Sequence, residues 1–170
     1  MIERGNLGFS AAHFITMHGG CEPLHGHNYG VQVEISGALT ADSFIFDFIT
    51  LKNIVRSLCK EWDHCVLLPL HNPHLRLVER QDAWEVEYDA RNHYVLAKVA
   101  VTMLEVDNVT TERLAELLAR RIAVALRSHE DTGMVKRITV GIQETEMQTA
   151  FFSLDFREAS GDLAKMDQKT

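Results

Sequence analysis

No stretch of this chain approaches the length and apolarity of a membrane-spanning helix. The longest apolar run that stands out, Cys65-Val66-Leu67-Leu68-Pro69-Leu70, is far too short. The first residues, Met1-Ile2-Glu3-Arg4-Gly5-Asn6, lack the apolar core of a secretory signal. Cysteine is scarce and odd in number: Cys21, Cys59 and Cys65 do not suggest a disulfide framework, and a reducing cytoplasm is the expected compartment. Positive charge is in short supply as well. Lys and Arg total 17 against 24 Asp and Glu, a net charge of −7, which argues against nucleic acid as a partner. There is no HExxH pair, so the helical metalloprotease arrangement is absent.

What is present is an ordinary soluble composition, 46% hydrophobic and 24% charged over 170 residues, enough for one domain with a sizeable core. Its chemistry concentrates in Cys21-Glu22-Pro23-Leu24-His25-Gly26-His27-Asn28-Tyr29, with His13 twelve residues before His25. If a strand begins at Asn28, His25 and His27 point to one side. Three neutral imidazoles, His13, His25 and His27, make the ligand set of an open zinc site whose fourth position is left for water or substrate. Gly26 is expected to keep the space between two ligands free of side-chain bulk. Cys21 lies close enough in sequence to reach a substrate held there. Taken alone, HxH is a weak signal; His13 and Cys21 at short range strengthen it.

Along the chain, Ile2 to His13 reads as a first strand and Asn28 to Leu39 as the clearest one. In the latter Tyr29, Val31, Val33 and Ile35 alternate with Gly30, Gln32, Glu34 and Ser36. Phe44-Ile45-Phe46 reads as extended. Asp47 caps a helix carrying Leu51, Ile54, Val55, Leu58 and Trp62 on one face, an ordinary packing element that ends at Asp63-His64. Asp63 beside His64 has a functional role only if the two side chains meet each other or partners in the fold; otherwise it is a helix end that favours an imidazolium. Residues from about 70 to 101 read as an inserted hairpin, Trp84 to Tyr88 and His93 to Leu96 around a polar turn, with His71, His74 and His93 as surface histidines. Thr110-Thr111-Glu112 opens a second helix with Leu114, Leu117, Leu118, Ile122, Ala125 and Leu126 inward. Val135 to Ile142 and Ala150 to Phe156 are the last strands, and 161–170 a polar tail. Strands paired at each end with segregated helices indicate an α+β fold, a four-stranded antiparallel sheet with two helices on one face.

These marks together resemble one family. Phe9-Ser10-Ala11-Ala12-His13, Cys21-x-x-x-His25-Gly26-His27-Asn28-Tyr29, Asp47-Phe48-x-x-Leu51-Lys52, Asp63-His64, Thr110-Thr111-Glu112 and Glu144-Thr145 are similar, in order, to the 6-pyruvoyl-tetrahydropterin synthase and 6-carboxytetrahydropterin synthase family. The resemblance covers most of residues 1–160 but not the inserted region. It implies the tunnelling, or T-fold, domain in a homohexamer built as a dimer of trimers. It further implies zinc on His13, His25 and His27, Cys21 as catalytic base, and Asp63 with His64 as relay supplied from a neighbouring subunit. Glu144 would anchor the pterin ring, with Thr110, Thr111 and Glu112 near that pocket. The implied substrate is 7,8-dihydroneopterin triphosphate. Zinc on the substrate's side-chain oxygens acidifies neighbouring carbon-bound protons, a thiolate beside it can take one, and a glutamate can accept from the amino group and ring N–H of a pterin.

The segment before His25 divides the family. Cysteine four residues before the first histidine matches the 6-carboxy-forming members of queuosine biosynthesis; pyruvoyl-forming members carry it further upstream. A folate branch, forming 6-hydroxymethyl-dihydropterin, uses instead a glutamate three residues before that histidine. Here Glu22 holds that position, so two candidate bases stand side by side, and adjacent residues ordinarily point different ways. The readings carried forward are a 6-carboxytetrahydropterin-forming zinc lyase using Cys21, a 6-pyruvoyl-forming or folate-branch lyase, the latter using Glu22, and a non-catalytic zinc and pterin-binding module. A zinc hydrolase would leave the Asp63-His64 and Glu144-Thr145 marks unexplained.

Overall fold

A computed structural model describes residues 2–3, 7–89, 92–129, 132 and 134–156; the polar tail at 161–170 and the tip of the inserted turn at 90–91 lie outside them. In chain order the strands of the main sheet are β1 (Ile2–Glu3), β2 (Gly8–His13), β5 (His25–Gly37), β6 (Cys65–Pro69), β10 (Val101–Leu104), β11 (Val135–Thr145) and β12 (Gln148–Asp155). Between them come a small ribbon, β3 (Thr16–Met17) and β4 (Gly20–Cys21), and the inserted strands β7 (Leu75–Glu79), β8 (Ala83–Tyr88) and β9 (Asn92–Ala97). Two helices complete the chain, α1 (Phe48–Lys60) and α2 (Thr111–Leu126).

The four antiparallel strands expected from alternation lie side by side as β2-β5-β11-β12. The structure enlarges that sheet. Strands β6 and β10 add to the β2 edge in parallel, and β1 pairs with β5 beyond the end of β2. Alternation sets the core. Phe9 and Ala11 of β2, Tyr29, Val31, Val33 and Ile35 of β5, and Ile138, Val140 and Ile142 of β11 are buried together on one face under Leu51, Val55, Leu114, Leu118 and Ile122 of the helices. Each of the Val, Leu, Ile and Phe side chains among them contributes about 1.5–3 kcal/mol when removed from water. An aromatic chain runs through this core: Tyr29 stacks on Phe9 with ring centres 4.8 Å apart, and Phe9 meets the edge of Trp62 at 5.3 Å.

The Asp47 carboxylate accepts from the Thr50 N–H at 2.7 Å and starts α1 as the sequence indicates. Phe44-Ile45-Phe46 forms no strand; it is an irregular approach to that cap which buries Phe46. In α2 the inward stripe includes Ala115, Ala119 and Ala123, whereas Ala125 is only half-buried. The insertion is one strand more than a hairpin, a three-stranded antiparallel sheet β7-β8-β9. Its inner face packs Leu77, Trp84, Val86, Tyr94 and Leu96 on Phe14 and Leu68, in a second apolar cluster. Its outer face carries the ion pairs Arg76–Glu87 and Arg80–Glu85, while Lys98 pairs with Glu79 on the side of Trp84, over whose ring its ammonium lies.

Candidate metal centre

Strand β5 begins at His25, three residues earlier than the alternation suggested, so the HGH segment lies inside a strand. The register then builds the cluster. His13 stands directly opposite His25, and His27 is opposite Ala11, two positions along on the same face. Ring centres are 4.6 Å apart for His13 and His25, 5.3 Å for His13 and His27, and 5.0 Å for His25 and His27. One nitrogen from each ring falls within 4.8 Å of the others. Gly26 does not serve the role expected of it. Its missing side chain would face the other side of the sheet, where a Cβ would come within 3.1 Å of the Ala11 carbonyl, so its smallness lets β2 approach β5 closely.

The tautomers follow from carbonyl partners. His13 Nδ1–H donates to the Val109 carbonyl at 2.8 Å, and His25 Nδ1–H to the Pro23 carbonyl at 2.9 Å. A carbonyl only accepts, so each ring keeps its Nε2 lone pair for another partner. Burial holds His13 below the ordinary histidine value, outweighing the pull of the Val109 carbonyl in the other direction. It is therefore neutral, the form a metal needs. Nε2 of His13 and of His27 are buried with no hydrogen-bond partner. A convergent set of three imidazoles, with the Nε2 atoms of His13 and His27 buried and lacking hydrogen-bond partners, fits a divalent metal ion of the kind imidazole binds.

Glu144, at the end of β11, faces the same side. Its Oε1 lies 3.4 Å from His13 Nε2 and 3.6 Å from His27 Nε2 without hydrogen-bond geometry, and it accepts from the Tyr29 hydroxyl at 3.5 Å. Burial and the Glu144 charge push the Tyr29 phenol far up, so it stays protonated and donates. Tyr29 was not singled out as a site residue from sequence. Its signal was available, since it is the next same-face residue after His27.

Cys21 is not part of the histidine cluster. It packs against the Phe14, Leu68 and Val86 cluster, with Sγ 3.5 Å from the Glu22 carbonyl. Glu22 follows it, half-buried, and its N–H donates to the Ile15 carbonyl at 2.9 Å. Thr110 caps α2, its hydroxyl accepting from the Arg113 N–H at 3.3 Å; Thr111 is buried and Glu112 exposed. These three follow Val109 directly, so the start of α2 abuts His13. Of the surface histidines, His71 pairs with Glu105 at 2.5 Å, and His74 and His93 are exposed.

Asp63 and His64 are held elsewhere. The Ser10 N–H donates to Asp63 Oδ1 at 2.8 Å, the His64 N–H to the Ser10 carbonyl at 2.6 Å, and His64 Nδ1 lies 2.9 Å from Asp63 Oδ2. The Ser10 amide, reinforced by His64, holds the Asp63 carboxyl below the usual range. His64 is 81% exposed and its backbone is left-handed, φ 58°. It borders an open cleft of about 470 Å³ with Ser10, Ala12, Gly26 and Asn28, residues that face away from the His13 ring; of the three histidines only His27 reaches that cleft.

Comparison with known proteins points to one family. A protein of Methanocaldococcus jannaschii assigned as a 6-carboxy-5,6,7,8-tetrahydropterin synthase is 33% identical over 123 residues, 72% of this chain and 75% of that protein. A dihydroneopterin monophosphate aldolase of Pyrococcus furiosus is 36% identical over 56 residues, 33% of this chain and 47% of that protein. The crystal structure of 6-pyruvoyl tetrahydropterin synthase from Plasmodium vivax superposes with a TM-score of 0.86 at 27% identity, covering 91% of this chain and 96% of that one. Further structures of that protein carry alanine or cysteine in place of a glutamate described as a catalytic residue. Residues 4–155, from β2 through β12 with the inserted sheet included, match the family profile described as 6-pyruvoyl tetrahydropterin synthase, and the chain belongs to that family.

Proposed function

We propose that this protein is a zinc-dependent lyase that converts 7,8-dihydroneopterin triphosphate to 6-carboxy-5,6,7,8-tetrahydropterin, the reaction that serves queuosine biosynthesis, as a cytoplasmic homohexamer. The observation that carries the reading is the His13–His25–His27 cluster with Nε2 atoms of two members buried and lacking partners. His13, His25 and His27 would hold the zinc, which when bound supplies Lewis acidity toward the oxygens of the substrate side chain.

The chain's own groups do the rest. Cys21, four residues before His25, takes a carbon-bound proton as thiolate. Asp63 orients His64 through Nδ1 and leaves Nε2 to exchange a proton. Because that pair opens onto the sheet face away from the His13 ring, it serves a site completed by a neighbouring subunit. Glu144 accepts from the pterin amino group and ring N–H, oriented by the Tyr29 hydroxyl. Thr110, Thr111 and Glu112 border the pocket from the start of α2.

A second reading has its own observation. Cys21 packs into the apolar cluster below the inserted sheet, and Glu22 is half-buried beside it without belonging to that cluster. Glu22 would then be the base, and the product the 6-hydroxymethyl pterin of the folate branch. The test is a product assay: zinc-loaded protein with 7,8-dihydroneopterin triphosphate, analysed by mass spectrometry, for wild type, Cys21→Ala and Glu22→Ala. A 6-carboxy product with acetaldehyde, lost in Cys21→Ala, supports the first reading. A 6-hydroxymethyl product lost only in Glu22→Ala supports the second. No turnover of any dihydropterin overturns both and leaves a zinc and pterin-binding module.

A further inference from the structure

The peptide group between Pro23 and Leu24 is held from both sides. Its carbonyl accepts from His25 Nδ1–H at 2.9 Å, and its N–H donates to the hydroxyl of Tyr94 at 3.2 Å. Tyr94 belongs to β9 of the inserted sheet, 70 positions further along the chain. Its ring is fixed in turn, stacked on Phe14 with centres 5.7 Å apart and planes 20° apart, beside Leu24 in the second apolar cluster. Phe14 directly follows His13. The inserted sheet therefore touches the histidine cluster by two routes, a packed one through Phe14 and a hydrogen-bonded one through the Pro23–Leu24 peptide.

Hydrogen bonds in series polarise one another. An acceptor on the Leu24 N–H makes the Pro23 carbonyl a better acceptor for His25 Nδ1–H. A stronger partner on Nδ1 in turn fixes the ring and raises the basicity of Nε2. The same contact pins the segment between Glu22 and His25, so the two candidate bases keep a set distance from the ligand. His25 is the exposed member of the cluster, and with less packing around it, its orientation depends more on that single carbonyl.

We propose that Tyr94 is a positioning residue for the metal ligand His25 and for the loop carrying Cys21 and Glu22, which gives the inserted sheet a role in the metal centre. The proposal rests on the reading of the histidine cluster as a metal site. The test is the zinc affinity of the full-length protein, measured with zinc alone by chelator competition, beside the melting temperature of the metal-free form. Tyr94→Phe keeps the ring and removes the hydroxyl; it should weaken zinc binding on the order of tenfold while the metal-free melting temperature stays close to wild type. Leu96→Ala loosens the packing of the same sheet and leaves the hydroxyl; it should lower the melting temperature and leave zinc affinity within about twofold. Equal zinc affinity in Tyr94→Phe and wild type overturns the proposal, as does an equal loss in Leu96→Ala, which would trace the effect to packing. Wild-type protein that binds no zinc overturns the metal reading itself, a result seen before any variant is compared.

Discussion

His13 Nδ1 and the carbonyl oxygen of Val109, 96 positions apart, meet at 2.8 Å, and this one bond ties the buried His13 to the residue just before the Thr110 cap of α2. Metal binding should thus be felt by the helix as well as by the sheet. Removing zinc with a chelator should lower the melting temperature by roughly 5–10 °C relative to protein held at a hundredfold excess over Kd, a gain of about 2.7 kcal/mol on loading. Differential scanning fluorimetry with and without dipicolinate, then with zinc restored, measures it. A chelator-independent melting temperature would contradict a metal centre on these histidines.

His64 holds a left-handed backbone that glycine adopts without cost and histidine does not. Its exposed contact with Asp63 adds little to stability. His64→Gly should therefore leave the fold intact and stabilise it by about 1 kcal/mol in chemical denaturation, while turnover falls on the order of 10²- to 10⁴-fold. A variant that is both less stable and fully active would show that this residue is held for the fold.

The Asp63 carboxyl titrates below its ordinary value because the Ser10 amide, with His64, favours its charged form. A depressed folded value means that its contribution is present above about pH 4, the unfolded range, and is lost as pH falls through the folded value. Asp63→Asn should be less stable than wild type at pH 7, and the gap should close below about pH 4. Urea unfolding of both proteins at pH 3 and pH 7 checks the sign; a gap that widens in acid would contradict it.

Burial pushes the Cys59 thiol up to about 12, with Asp63 adding to the shift. Native protein at pH 8 should incorporate iodoacetamide at the half-buried Cys21 well before Cys59, which should react only on unfolding. Peptide mapping after timed labelling reads the order. Early labelling of Cys59 would mean that α1 opens more readily than its packing suggests.

How much of this was legible in sequence depended on whether the signal was local. Tyr29, Val31, Val33 and Ile35 alternate, so β5 and its inward face could be read directly, as could the Asp47 cap and the α2 stripe. Strand β6 could not, because Val66, Leu67 and Leu68 are a continuous apolar run. A strand buried on both faces in a parallel pairing carries no alternation, and a short run of that kind does not distinguish a strand from a piece of buried helix. The three histidines were legible as residues, but their convergence required the β2–β5 register. The Val109 and Pro23 carbonyls carry no side-chain signal at all. Tyr94 lay in the one region without family marks, where only the fold could connect it to Leu24.

The aromatic chain through the core has an optical consequence. His27 meets the edge of Tyr29 at 5.5 Å, Tyr29 lies on Phe9, and Phe9 lies against Trp62. The indole thus sits three ring contacts from the ligand cluster and is fully shielded from water. The molecule carries its own fluorophore, joined by packed rings to the histidine cluster. With Trp84 replaced by phenylalanine, intrinsic emission would follow the loading of the site without any added dye.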